Sequence, residues 1–133
     1  MLPIDVESLR LFLHVLAATI WVGGQVTLGA LVPVLRKAGA DVPRLAAQRF
    51  GRLAWTAFAV LLVTGFWNLA EYDNTDRHGF AATISIKLVF VALSGIAAFA
   101  HMRAKSKFWL ALGGAGTALF ALAALFFGIV LAQ

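Results

Sequence analysis

Four stretches of this chain run for eighteen or more residues with at most one Asp, Glu, Lys or Arg. Residues 11–35, 53–70 and 108–133 carry none, and residues 80–102 carry only Lys87. A helix that crosses a bilayer needs roughly 20 predominantly apolar residues. Backbone groups in hydrocarbon must be satisfied internally, which leaves helices or closed barrels. The runs here are continuously apolar rather than alternating, so barrel strands do not fit. The expected fold is all-α: one domain over residues 1–133, an integral membrane four-helix bundle with spans at about 11–35, 53–70, 80–102 and 108–132. The segments between them are short, which favours antiparallel neighbours in up-down order.

Composition narrows the function classes. Hydrophobic types make up 62% of the 133 residues and charged types 13%, against about 45–50% and about 25% in soluble domains. Disorder is excluded, because there is ample apolar surface to bury. Cysteine is absent, so disulfides, thiolate metal sites and thiol nucleophiles are excluded as well. The first span does not read as a cleavable signal. Asp5 and Glu7 flank Arg10 where a basic leader would stand, and the apolar run exceeds the usual length. Pro33 falls near the end of that span, where a kink costs little.

Charge sets the expected topology. The segment between the first two spans carries Arg36, Lys37, Arg44, Arg49 and Arg52 against Asp41, and the last connection carries Arg103, Lys105 and Lys107. Eight of the eleven Lys and Arg residues thus lie on one side. The other side holds Asp5, Glu7, Glu71, Asp73 and Asp76 with Arg10 and Arg77. Positive residues stay in the cytoplasm, so both termini are expected outside a bacterial-type inner membrane. The same rule accounts for the net charge of +5. Nucleic acid is not an expected partner, because the basic residues form two short juxtamembrane segments without a folded reader; they suit anionic lipid heads. Residues 41–52 are expected to form a short interfacial helix running into the second span, and residues 71–79 an acidic turn.

Polar groups inside spans are costly and are therefore the functional candidates. At about 100° per residue, His14, Trp21 and Gln25 share one face of the first span. Thr64, Asn68 and Glu71 share a face of the second at spacings of four and three, with Trp67 beside them. Thr83, Lys87, Ser94 and His101 form a stripe on the third that should turn away from lipid. Gly113, Gly114, Gly116 and Gly128 in the fourth read as close-packing positions. Lys87 lies about 10 Å along its span from Phe80, and His101 about 21 Å further. His14 and Lys87 are therefore expected to share an outer site with His78 and Glu71 at its mouth, and His101 to belong to the cytoplasmic side. No paired-carboxylate or nucleophile constellation for hydrolysis is present.

Several of these residues resemble a known family. Leu13-His14, then Trp21-Val22-Gly23-Gly24, Pro33 and Arg36 resemble the first helix of the copper-resistance protein D family and of the related four-helix membrane protoporphyrinogen oxidases. Arg49-Phe50-Gly51-Arg52-Leu53 and Val63-Thr64-Gly65-Phe66-Trp67-Asn68-Leu69 fit the second helix, and Ile86-Lys87-Leu88 with His101 the third. The resemblance covers residues 9–103. It implies either haem b binding by a membrane oxidoreductase, through the first-helix His and third-helix Lys, here His14 and Lys87, or copper uptake. Copper(I) favours thiolate and thioether ligands, and this chain offers Met1 and Met102 alone. Haem needs one or two imidazoles and a wide apolar pocket, which eleven Phe and four Trp suit. The expectation is a haem b or porphyrin-binding redox protein. In it His14, Lys87, His101 and Trp21 contact the cofactor, and Lys87 and Gln25 are the candidate catalytic groups. Copper transport with His14 and His101 as metal ligands is the alternative. An accessory subunit of a membrane complex is a third reading, and a homodimer is the expected assembly.

Overall fold

The computed structural model describes residues 4–72 and 78–133. It contains four helices long and apolar enough to cross a membrane: Val6–Ala38, Val42–Ala70, Phe80–Arg103 and Lys107–Leu131. The described residues contain no strand. The chain divides into two compact units, Met1–Asp73 and Asn74–Gln133.

In the first unit the leading span comprises α1 (Val6–Ala18), one wide π turn (Thr19–Gly23) and α2 (Gly24–Ala38). The helix begins five residues before the uncharged stretch because Asp5 caps it. The Asp5 carboxylate accepts from the Ser8 backbone N–H and from the Ser8 hydroxyl, both at 2.8 Å, which satisfies one of the orphan donors of the first turn. Pro33 lies inside α2, five residues before its end. The π turn has a packing consequence. Consecutive positions of a regular helix diverge by about 100°, yet Trp21 and Val22 are both buried. A turn widened by one residue brings both inward.

The second span begins earlier than its apolar stretch implies. Only residues 39–41 connect the helices, and α3 (Val42–Ala70) is continuous through Arg44, Arg49 and Arg52. The interfacial helix expected at residues 41–52 is thus the start of α3 itself. Ala46, Ala47, Leu45 and Gln48 are good helix formers, and Pro43 sits in the first turn, where no N–H partner is needed. At 1.5 Å per residue α3 is about 43 Å long, against a hydrocarbon thickness of about 30 Å. Its basic first turns therefore have room outside the hydrocarbon.

The leading span and α3 meet along a continuous seam. Arg10 lies over the Trp67 ring, His14 meets Thr64, Trp21 meets Trp55 and Phe58, and a side chain on Gly24 would strike the Phe50 ring. Numbers rise on one helix as they fall on the other, so the pair runs in opposite directions.

The second unit pairs α4 (Phe80–Arg103) with α5 (Lys107–Leu131). Gly79 precedes α4 at φ 86°, a left-handed conformation that glycine adopts without a Cβ penalty. Ser106 caps α5 by accepting from the Trp109 N–H at 3.3 Å. The Ser94 hydroxyl, 1% exposed, donates to the Thr117 carbonyl at 2.9 Å. Phe90 stacks on Phe120 and Phe127.

Residue size is distributed oppositely to a soluble protein. Buried positions are mostly small: Ala17, Ala54, Ala57, Thr64, Ser94, Thr117, Ala121 and Ala124. Phe12, Leu31, Val63, Phe66, Ile96, Leu119, Phe126 and Ile129 are exposed. Membrane helices approach through small residues and turn large apolar ones to lipid. The fold is thus that of a multi-pass membrane protein.

One pH effect follows from the α1 cap. The Ser8 N–H and hydroxyl hold the Asp5 carboxyl below its ordinary value of 3.8. A depressed carboxylate stabilises the folded state fully above the unfolded value and loses that contribution as pH falls through the folded one. Protection of the Ser8 amide, measured against its intrinsic exchange rate, is therefore expected to fall as pH drops below 3.8, and Asp5→Asn should remove that pH dependence.

Candidate functional site

His14 is the best-defined polar group in a span. The Thr64 hydroxyl donates to the Val60 carbonyl at 2.7 Å, the bond a helical Thr commonly makes with the residue four positions back. Its hydrogen is thereby used, so the Thr64 oxygen accepts from His14 Nδ1–H across the 2.8 Å contact. That bond sets the tautomer: Nδ1 carries the proton and Nε2 the lone pair. Histidines that ligate metals are oriented in this way by a partner on the other nitrogen. Gly65 follows Thr64 on α3, and a Cβ there would lie 3.4 Å from His14 Cε1. Thr64 presents the acceptor and Gly65 leaves room for the ring.

One turn toward the N-terminal end of α1 lies a second pair. Arg10 stands four residues before His14, and Asn68 four after Thr64. The register that joins His14 to Thr64 therefore brings Arg10 level with Asn68. The Arg10 guanidinium carbon lies 5.8 Å from the centroid of the Trp67 ring, within cation–π range. Arg10 Nε and Asn68 Oδ1 are both buried and both lack a hydrogen-bond partner.

In the second unit the stripe of Lys87, Ser94 and His101 turns toward α5. A Cβ on Gly128 would lie 3.2 Å from Lys87 Nζ, and one on Gly114 would lie 3.2 Å from His101 Cε1. His101 Nδ1–H donates to the Leu110 carbonyl at 2.6 Å, which again leaves the lone pair on Nε2. Packing and this hydrogen bond account for His101 as a clasp between α4 and α5. Thr83 is half-buried on the same helix.

The remaining candidates fall as follows. Trp21 sits in an aromatic cluster with Trp55 and Phe58, at centroid distances of 5.6 and 4.4 Å. Gln25 is half-buried on α2, beyond the π turn. Glu71 ends α3 and is exposed, as is His78. His14 belongs to the first unit, and Lys87 and His101 to the second. Asp73, Asp76 and Arg77, read above as part of the acidic turn, lie outside the described residues. Among the described residues no group of three or more His, Cys, Asp or Glu side chains is placed to hold a metal ion.

Sequence reasoning placed Asn68 on the Thr64 face but treated Arg10 as a flanking charge. The signal that finds Arg10 is its i, i+4 spacing to His14, which matches that of Thr64 to Asn68. No family model, curated protein or solved structure matches this chain.

Proposed function

We propose that the chain is a haem b or porphyrin-binding redox protein of a bacterial-type inner membrane, with His14 as the axial ligand or porphyrin contact. Its four spans form an antiparallel up-down bundle with both termini outside. The observation that carries this reading is the Thr64–His14 hydrogen bond. It fixes the His14 ring between α1 and α3 through a neighbour whose own proton is engaged with the Val60 carbonyl. Bound haem supplies one-electron chemistry at its iron. The protein's part is to hold His14 in one orientation, through the Thr64 hydroxyl and the space left at Gly65.

Lys87 gives the second unit a cation packed against Gly128 of α5. It suits an anionic group, as a propionate would provide. Copper handling is the weaker reading. It needs several protein ligands converging, whereas haem needs one imidazole, and no ligand cluster of that kind is present among the described residues.

Titrating haem-free purified protein with hemin tests the proposal. Wild type is expected to develop a saturable Soret band with a fixed haem-to-protein ratio, and His14→Ala to show no saturable band. Equal titrations in the two proteins would overturn the assignment of His14.

A further inference from the structure

We propose that Arg10 and Asn68 form a binding site for the hydroxyl headgroup of a lipid-soluble quinol. The inference goes beyond haem binding and stands whether or not His14 holds haem. It begins from two atoms. Arg10 Nε is a donor and Asn68 Oδ1 an acceptor; each is buried and neither has a partner. Buried polar atoms are nearly always hydrogen-bonded, so an unpaired donor and an unpaired acceptor at one level of one helix pair call for an explanation. Leaving such a group unmet is costly, and the cost is recovered when a ligand supplies the bond.

The chemistry of the missing group follows from the pair. It must accept from an N–H and donate to a carbonyl oxygen at one level of the helix pair. A ketone or an ether only accepts. A carboxylate also only accepts, and would set its negative charge against the lone pairs of the Asn68 oxygen. A hydroxyl does both. The surroundings select an aromatic hydroxyl. Trp67, whose indole already lies 5.8 Å from the Arg10 guanidinium, offers a flat apolar face beside the pair. Location selects a membrane-soluble molecule. Arg10 lies five residues past the Asp5 cap, in the first turns of a membrane-spanning helix. A headgroup held there leaves its isoprenoid tail in the lipid. His14 lies one turn deeper, about 6 Å along the axis.

The test uses the full chain in lipid nanodiscs and equilibrium binding of a short-tailed ubiquinol. The comparison ligand is the dimethyl ether of the same quinol, which keeps the acceptors and loses the donors. Wild type is expected to bind the quinol saturably and the dimethyl ether at least tenfold more weakly. Asn68→Leu is expected to weaken quinol binding at least tenfold and to melt close to wild type, because the Asn68 Oδ1 acceptor it removes has no protein partner. Equal binding of quinol and ether, or non-saturable partitioning that is the same in wild type and Asn68→Leu, would overturn the site and assign the two atoms to a bridging water. The quinol–ether comparison needs no variant, so a folding defect in Asn68→Leu does not blunt the test. The Soret signal of the same sample reports on His14 independently, so the haem reading and the quinol site fail separately.

Discussion

Gly113→Val is expected to break the second unit. A Cβ on Gly113 would lie 2.9 Å from both Cα and Cβ of His101 and 3.1 Å from its backbone nitrogen. Two of those three atoms are main chain and cannot rotate aside. The larger side chain must therefore push α4 off α5. Overpacking of this kind costs about 1–3 kcal/mol. The displacement also threatens the His101–Leu110 and Ser94–Thr117 bonds, each worth about 1 kcal/mol. Gly128→Ala is the control. Its Cβ would meet Lys87 Nζ at 3.2 Å, the free end of a flexible chain that can swing away at small cost. Thermal unfolding in detergent should show a large drop for Gly113→Val and little change for Gly128→Ala. Equal melting of the two would mean that the helices are not joined at His101 as described.

Thr64→Val is expected to weaken haem binding by about 10–100-fold, the usual cost of losing the group that orients a ligating histidine. Valine matches threonine in shape but has no acceptor for His14 Nδ1–H. The exchange leaves a buried donor unmet, at about 1–3 kcal/mol, and frees the ring to turn. Thr64→Ser keeps the hydroxyl and its bond to Val60, and should bind haem nearly as wild type does. Hemin affinities of the three proteins, measured under one condition, check the series. A Thr64→Val protein that binds as tightly as wild type would show that Thr64 does not orient His14.

Much of the architecture was legible because membrane spanning is written in length and charge. The four apolar stretches gave the helices, and the seven-residue spacing of Lys87, Ser94 and His101 gave the α4 face that meets α5. The glycines of α5 were legible as packing positions because only a residue without a side chain lets His101 and Lys87 approach so closely. Other features were not. Residues 41–52 were legible as an interfacial helix running into the second span, but its unbroken continuation as one α3 through Arg44, Arg49 and Arg52 was not, because charge ends an apolar window. The π turn at Thr19–Gly23 leaves no side-chain pattern, since it consists of one shifted rung of backbone hydrogen bonds. The His14–Thr64 pair needed the register of α1 against α3, which packing of Trp21 on Trp55 and Phe58 supplies. The same register places Arg10, read from the sequence as a flanking charge, level with Asn68.

The most direct measurement is the reduced-minus-oxidised absorption spectrum of protein expressed with ample haem, taken beside a copper assay on the same sample. Wild type should show a Soret band and the α and β bands of reduced b-type haem, and His14→Ala should lack them. A colourless wild-type protein carrying stoichiometric copper would contradict the account and return the copper reading to first place.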